Sequence, residues 1–325
     1  MGRRLIKRMK ARFAAHLVLL AVVLTFFVLD AAAQRRGSDN RVRTVAVPIS
    51  IYTKDELRRG KPEEFLVVDN LIVKENGEEK QVLSIRSVTD APLSLAVVIQ
   101  DDVSSAFNLQ IRDLGAFIRS LPQGSRVMVA YIVGGSLQVR QRFTTDLDRA
   151  ARALRIVTSS SSASPRNPYD GVVDALNRFD ALPAGRRAMI LISDGVDRTL
   201  GPIAASPSQS TDLDRAILRA QRRSVSIFSI YHATVHTENG NSQRILLGQG
   251  SLLKLSDDTG GRAFFQGSIS PINFDPFFKD LSILLNRQFL LTYLSDNMRR
   301  GYYSVEITSS SPGVKIEHPR GYYYR

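Results

Sequence analysis

The stretch Leu93-Ser-Leu-Ala-Val-Val-Ile99, followed at once by Gln100-Asp-Asp-Val-Ser-Ser105, decides the fold. Apolar, rich in β-branched residues and free of Gly and Pro, its first part reads as a strand buried on both faces in the middle of a parallel sheet. Its second part sets two carboxylates and two hydroxyls directly after that strand. Open α/β sheets bind ligands there, outside the carboxyl ends of their strands. A second strand, Ala188-Met-Ile-Leu-Ile192, runs into Ser193-Asp194-Gly195 and predicts a further carboxylate on the same edge.

Working outward, strands and helices alternate from Pro92 onward, which predicts a mostly parallel sheet with crossover helices. Leu109, Ile111, Leu114, Phe117, Ile118 and Leu121 form the apolar face of a helix over 109–121. Val127–Val133 is the next buried strand, with Ser136–Phe143 beside it. Asp146–Ile156 is amphipathic, Asp146 and Asp148 serving as cap and dipole partners at its start. A serine-rich loop from Ser159 to Ser164 precedes a helix at Tyr169–Phe179. Beyond the Ala188 strand lie a Pro/Ser-rich loop (200–210), a helix at Asp212–Arg223 capped by Thr211 or Asp212, and a strand at Val225–Tyr231. A helix at Ser251–Asp258 stopped by Gly260-Gly261, a short strand at Arg262–Phe265 and a helix at Asp275–Leu285 follow.

The flanks read as β structure. Val45, Val47, Ile49 and Ile51 alternate along Arg43–Tyr52, Phe65–Val68 and Leu71–Glu75 are extended, and Asn76-Gly77 turns a hairpin into Lys80–Ser87. Gln288–Leu294, Tyr302–Thr308 and Val314–Glu317 follow the last helix. Tyr322, Tyr323 and Tyr324 then alternate in a terminal strand, which predicts packing against the N-terminal β segment. The boundaries are 34–90 for the N-terminal β segment, 91–287 for the α/β domain and 288–325 for the C-terminal β segment. The two β segments are expected to pack together as a small β unit.

Residues 1–33 have the three-part plan of a secretory signal peptide. Arg3, Arg4, Lys7, Arg8, Lys10 and Arg12 precede an apolar run from Ala14 to Leu29, and Ala31-Ala-Ala33 offers a cleavage site. Uncleaved, the same run would be an anchor, and only then would the chain engage a membrane; it falls just short of the usual ~20 residues of a spanning helix. The expected location is periplasmic or extracellular. The chain has no cysteine, which excludes disulfides and thiolate metal sites. Its formal charge of +13 includes six basic residues and one acid of the signal segment, so the remainder carries +8. Those positives lie in scattered pairs such as Arg186-Arg187 and Arg222-Arg223, which read as solvated faces and helix ends, with no nucleic-acid partner.

The residues do not suggest an enzyme. His232 and His236 stand four apart but follow a strand and lack the Glu of a zinc helix. No Gly-x-Ser-x-Gly elbow is present, and no Gly-x-Gly-x-x-Gly follows the first α/β strand, which argues against hydrolase and dinucleotide readings. Gly260-Gly261 reads as a helix stop rather than a phosphate cradle.

Val73-Lys-Glu-Asn-Gly-Glu-Glu-Lys-Gln81, Pro92–Ile99, Met189-Ile-Leu-Ile-Ser-Asp-Gly-Val-Asp197, Val225–Tyr231, Leu255-Ser-Asp-Asp-Thr-Gly-Gly-Arg-Ala-Phe-Phe265 and Arg320-Gly-Tyr-Tyr323 occur in this order. Together they resemble the von Willebrand factor A-related exported proteins abundant in acidobacteria, from about residue 40 to the C-terminus. The resemblance implies a Rossmann-like A domain that binds proteins. It also implies a divalent cation (Mg²⁺, or Mn²⁺ or Ca²⁺) held at the strand edge by an Asp-x-Ser-x-Ser motif, a Thr from a second loop and an Asp from a third. Mg²⁺ prefers hard oxygen ligands and keeps several waters, so a free position can take a carboxylate from a partner. Here the motif is broken in every register: Gln100-x-Asp102-x-Ser104, Asp101-x-Val103-x-Ser105 or Asp102-x-Ser104-x-Ala106. Arg166 stands where the Thr is expected, and a cation at ~4 Å would repel a dication by several kcal/mol. Only Asp194 matches cleanly. The expectation is a non-enzymatic module binding an unidentified protein or surface ligand at an edge of Gln100, Asp101, Asp102, Ser104, Ser105, Arg166 and Asp194. Asp102, Ser104 and Asp194 are the remaining metal candidates in a degenerate site, and Arg166 is expected to pair with Asp102 or Asp194 in place of the metal. The alternative is a structural scaffold of a cell-envelope complex acting through the β segments.

Overall fold

In the computed structural model, which describes residues 42–59, 71–87, 92–161, 164, 166–183, 185–201, 203–234, 237, 242–267 and 273–324, the chain opens with strand β1 (Arg43–Thr53). The readings of residues 1–40, of Phe65–Val68 and of His236 lie outside the described residues. Val45, Val47, Ile49 and Ile51 are buried along β1. Helix α1 (Lys54–Arg59) starts in a capping box: Glu56 N donates to Thr53 Oγ1 (3.0 Å) and Thr53 N to Glu56 Oε2 (2.7 Å). β2 (Leu71–Glu75) turns through Asn76 and Gly77, at φ 51° and 84°, into β3 (Glu78–Lys80), and β4 (Val82–Ser87) follows.

The α/β part runs β5 (Leu93–Gln100), a 3₁₀ turn (Ser105–Gln110), α2 (Ile111–Arg119), β6 (Arg126–Val133), β7 (Ser136–Thr144), α3 (Leu147–Arg152) and α4 (Tyr169–Asn177). It continues with β8 (Arg186–Ser193), α5 (Thr211–Arg222), β9 (Ser226–Tyr231), α6 (Ser242–Asp258), β10 (Ala263–Phe264) and α7 (Asp275–Asn286). The six strands lie in the order β10-β9-β8-β5-β6-β7, all parallel but β7, which returns antiparallel beside β6. β5 is buried along its whole length because both its faces are covered. Leu93, Leu95, Val97 and Ile99 face α2 and α7, through Leu114, Phe117, Leu281 and Leu284. Ala96 and Val98 face the other layer, through Val172 and Leu176 of α4, Leu213 and Ile217 of α5 and Leu252 of α6.

β11 (Gln288–Ser295), β12 (Gly301–Ser309), β13 (Val314–Glu317) and β14 (Gly321–Tyr324) end the chain. They interleave with the N-terminal strands in two four-stranded sheets, β13-β1-β11-β4 and β14-β12-β2-β3. Val47, Ile49, Val73, Leu291, Tyr293, Val305 and Ile307 form the shared core, so the two ends of the chain build one β unit, with the α/β part inserted between β4 and β11. Glu75, fully buried, accepts hydroxyls from Tyr293 (2.7 Å), Ser295 (2.6 Å) and Tyr322 (2.7 Å), tying β2 to β11 and β14. Glu56 of α1 pairs with Arg287 after α7 at 2.5 Å. Thr44–Ser295 and Arg299–Arg325 form one compact unit; of the described residues, Val42, Arg43 and 296–298 fall outside it.

Three element bounds differ from those expected. Helix α5 is capped by Ser210, whose Oγ accepts from Leu213 N at 3.1 Å, and not by Thr211 or Asp212. Helix α3 stops at Arg152 rather than at Ile156, because Tyr131 holds the next turn: Tyr131 OH accepts from Arg155 N (2.8 Å) and donates to Arg155 O (2.9 Å). Helix α6 starts nine residues before Ser251, at Ser242, and takes in Gly248 and Gly250. Glycine weakens a helix interior, which hides this one in the sequence. At Gly248 it is required, since a Cβ would lie 2.1 Å from the Asp194 carbonyl oxygen.

Candidate functional site

The parallel register brings the ends of β5, β8 and β9 level, Ile99 opposite Ile192 and Ser193 opposite Tyr231. Gln100 therefore stands beside Ser193, and its amide joins two neighbours. Its Oε1 accepts from Ser193 Oγ (2.5 Å), and its Nε2 donates to Asp102 Oδ1 (2.8 Å). Ser193 Oγ also accepts from Gly195 N (2.9 Å), which shapes the turn that presents Asp194. Gly195 is at φ +68°, and a Cβ there would meet the Gly248 carbonyl at 2.5 Å, so helix α6 and this turn touch glycine to glycine.

Asp102 and Asp194 are both buried. Asp194 accepts from Thr234 Oγ1 (2.7 Å) and Val196 N (3.1 Å), while Asp102 Oδ2 has no hydrogen-bond partner in the protein. Burial and then the charge of Asp102 raise the Asp194 pKa from 3.8 to about 6; its hydrogen bonds and Arg198 pull the other way, without prevailing. Two desolvated carboxylates of like charge, one oxygen of them unpartnered, make a place for a single positive charge.

The other predicted residues part from this pair. Asp101 faces the β6 side, where its Oδ1 pairs with Arg155 Nη1 (2.7 Å) and its Oδ2 accepts from Thr158 Oγ1 (3.0 Å). Arg155 also lies over the Tyr131 ring, 4.3 Å from its centre. Ser104 is buried because its loop is zipped to the one after β9: Val103 bridges Thr234, and Ser104 N donates to Ala233 O (2.8 Å). Ser105 is exposed at the start of the 3₁₀ turn.

Arg166 is also exposed and, among the described residues, forms no ion pair with Asp102 or Asp194, contrary to the expectation. Its position is set by its own carbonyl, which accepts from Arg198 N (2.7 Å), and by Asn167, whose Oδ1 caps Tyr169 N (2.8 Å) and whose Nδ2 reaches Asp212 (2.9 Å). The cation paired with an edge carboxylate is Arg155, on Asp101. No sequence signal marked it, since it stands on a different loop 54 residues away.

The residues do not fit the full cation set. The first ligand position holds Gln100, which turns an amide N–H toward Asp102, and the second-loop hydroxyl is replaced by an exposed arginine. Among the described residues, no group of three His, Asp or Glu side chains is placed to hold a metal. His232 is buried, packed edge-on against Phe107 (5.7 Å between ring centres) and Phe274 (6.2 Å). Its Nδ1 contacts Ala233 O at 3.2 Å, its Nε2 has no partner, and burial lowers its pKa to about 4.

Exposed apolar side chains lie on the segments that follow these strands. The five most exposed large apolar side chains among the described residues are Leu109 (78%), Ile203 (76%), Leu200 (73%), Ile156 (68%) and Leu246 (65%). Leu109 follows β5, Leu200 and Ile203 follow β8, and Leu246 lies in the first turns of the helix after β9. Ile156 is held at the same edge by its neighbour Arg155 on Asp101.

A mostly parallel sheet with an antiparallel edge strand, helices on both faces and a polar carboxyl edge defines a von Willebrand factor A-like α/β fold, here with flanking antiparallel sheets. No family model matches the sequence, and no curated protein does. Among solved structures the chain is similar to an aerotolerance-related membrane protein from Bacteroides fragilis, at 12% identity over 59% of this chain and 98% of that one, with a TM-score of 0.43. It is similar to BatB from Bacteroides thetaiotaomicron at 13% identity, over 58% of this chain and 95% of that one, TM-score 0.41. It is also similar to a von Willebrand factor type A protein from Catenulispora acidiphila at 10% identity, over 86% of this chain and 73% of that one, TM-score 0.42. Among the described residues no helix is long and apolar enough to cross a membrane.

Proposed function

We propose that the chain is an exported, non-enzymatic binding module that docks a protein or surface ligand on the carboxyl edge of its α/β sheet. The observation that carries this reading is the strong exposure of Leu109, Ile156, Leu200, Ile203 and Leu246, each on a segment that follows a strand of the parallel sheet or leads into the next helix. Large apolar side chains this exposed cost free energy in water and mark an interaction site where they share a patch. Ser105 and Arg166 are the exposed members of the originally predicted edge and supply polar contacts at its margin. Gln100, Asp101, Asp102, Ser104 and Asp194 act from beneath, holding the loops that present these side chains. The cation site is degenerate in this reading, with Gln100 at the first ligand position and burial raising the pKa of Asp194 to about 6. Export rests on the N-terminal signal plan alone.

A photo-reactive residue placed at Ile203 in the exporting cell tests docking directly. A discrete heavier product, lost on Leu200→Asp, is the expected result. The same product from a probe at Ile85 and none from Ile203 would overturn it. That outcome would favour the second reading, a scaffold acting through its β segments, which the exposed pair Leu83 and Ile85 on edge strand β4 supports. Calorimetric titration of Mg²⁺, Mn²⁺ and Ca²⁺ into chelator-treated protein tests the cation site. Silence from the wild type with binding by Gln100→Asp is expected; binding by the wild type refutes the degenerate reading.

A further inference from the structure

At the other end of the sheet, where β8 and β9 begin, a cavity of about 410 Å³ opens between the α/β part and the β unit. Among the described residues its lining includes four guanidiniums, those of Arg186, Arg187, Arg222 and Arg223, against one carboxylate, that of Asp180. Backbone carbonyls hold Arg187 in place: Nη2 donates to Leu182 O (2.8 Å) and Pro183 O (3.3 Å), and Nη1 to Arg223 O (3.3 Å). These contacts orient the fork without neutralising its charge. Arg223 pairs with Asp180 through Nη2. Yet the Nε–H groups of both Arg187 and Arg223 are buried with no hydrogen-bond partner in the protein, and so is Oε1 of Gln288, which is only 4% exposed. Pro48, Phe289 and Leu290 supply an apolar wall.

We propose that this cavity is a binding site for a phosphate monoester that carries an apolar body. Guanidinium forks match phosphate oxygens with charge-assisted hydrogen bonds, and Arg187, whose contacts in the protein are all to carbonyls, brings an un-neutralised fork to the cavity wall. A dianion answers the charge of Arg187, which only carbonyls hold, together with that of Arg223 better than a carboxylate does. A P–OH or ligand hydroxyl supplies the donor that Gln288 Oε1 lacks, and the apolar wall receives the body of the ester. The volume lies within the range of small-molecule sites, roughly 300–1,000 Å³. The ester is either a soluble metabolite or the headgroup of a phosphomonoester lipid. This site is independent of the docking edge and does not rest on it.

Calorimetry of the full chain with phenyl phosphate, with inorganic phosphate and with phosphatidylcholine vesicles containing phosphatidic acid tests the proposal. Phenyl phosphate is expected to bind saturably and more tightly than inorganic phosphate. Arg187→Gln and Arg223→Gln should each weaken it about tenfold or more, the effect of losing one charge-assisted hydrogen bond. Asp180→Asn, at an exposed side chain, removes the competing anion and should tighten binding severalfold, while the distant Arg112→Gln leaves it unchanged. Tighter capture of the phosphatidic acid vesicles than of phenyl phosphate assigns the lipid source, and indifference to them assigns the soluble one. Absence of saturable binding to all three probes overturns the proposal, as does binding that survives both arginine substitutions. Should the arginine variants fail to fold, Asp180→Asn decides: tighter binding supports the site, and unchanged or weaker binding overturns it.

Discussion

Replacing Asp194 by Asn should change how stability depends on pH, in a direction opposite to that of most carboxylates. In the folded protein burial and the neighbouring Asp102 charge hold the Asp194 pKa near 6, against 3.8 ordinarily. The folded state therefore keeps a proton that the unfolded chain has already lost. Its contribution to stability is fully present below about pH 4 and is lost as pH rises through about 6. The difference corresponds to about 3 kcal/mol. Urea unfolding of wild type and Asp194→Asn across this range isolates it, because most other groups cancel in the comparison. Relative to the variant, the wild type should be more stable at the acid end by about 3 kcal/mol. Asp102→Asn should shrink the slope without removing it, since burial is the larger cause. The wild-type curve alone would mislead. Neutral, buried His232 has its pKa lowered by burial from 6.5 to about 4, so its contribution is lost as pH falls through the same window and offsets that of Asp194 by a similar amount. A wild-type-minus-variant difference that stays flat across the window would refute the perturbed carboxylate. A difference of opposite sign would mean that a bound cation, not a proton, compensates the pair.

Three structural predictions accompany this one. Gly248→Ala puts a methyl 2.1 Å from the Asp194 carbonyl oxygen, so it should destabilise by about 3 kcal/mol. It should also move the Asp194 titration, readable by carboxyl ¹³C NMR, whereas Gly250→Ala, whose Cβ would meet only Pro207 Cγ at 3.2 Å, should do neither. Glu56→Gln replaces the anionic partner of Arg287 in a buried pair at 2.5 Å and should cost about 3 kcal/mol in urea unfolding; a cost below 1 kcal/mol would show that the pair contributes little. Glu75→Gln leaves one amide oxygen to serve the hydroxyls of Tyr293, Ser295 and Tyr322, and should cost about 2 kcal/mol in the same assay. Loss of protection at β11 and β14 in hydrogen exchange should accompany it, and unchanged protection there would deny that Glu75 joins the two ends of the chain.

The parallel sheet was legible because its strands carry the signal themselves. β5 is apolar on both faces since helices cover both, and Val45, Val47, Ile49 and Ile51 of β1 alternate since they face the β unit's core, while Tyr52 on the other face joins the α/β core. The carboxylates after β5 and β8 were legible for the same reason, as the strand fixes where its next residue lies. What those carboxylates touch was not. Asp101 is matched by Arg155 from a loop with no periodicity to read, and Arg166, apparently placed to pair with them, is turned outward by the cap that Asn167 makes on α4. Val103 bridges Thr234, and Asp102, expected at an exposed edge, is buried beneath the loops. A single sequence clue did exist at the site. Gly248 inside a helix and Gly195 after Ser193-Asp194 each weaken their own element, and such a cost persists where two backbones must meet. The exposed apolar side chains illustrate the converse. Leu200 and Ile203 lie in a Pro/Ser-rich loop, where an apolar side chain either packs under the loop or is held out to solvent, and composition is the same in both cases. In the structure both are held out to solvent, an outcome set by the path of the loop and not by its composition.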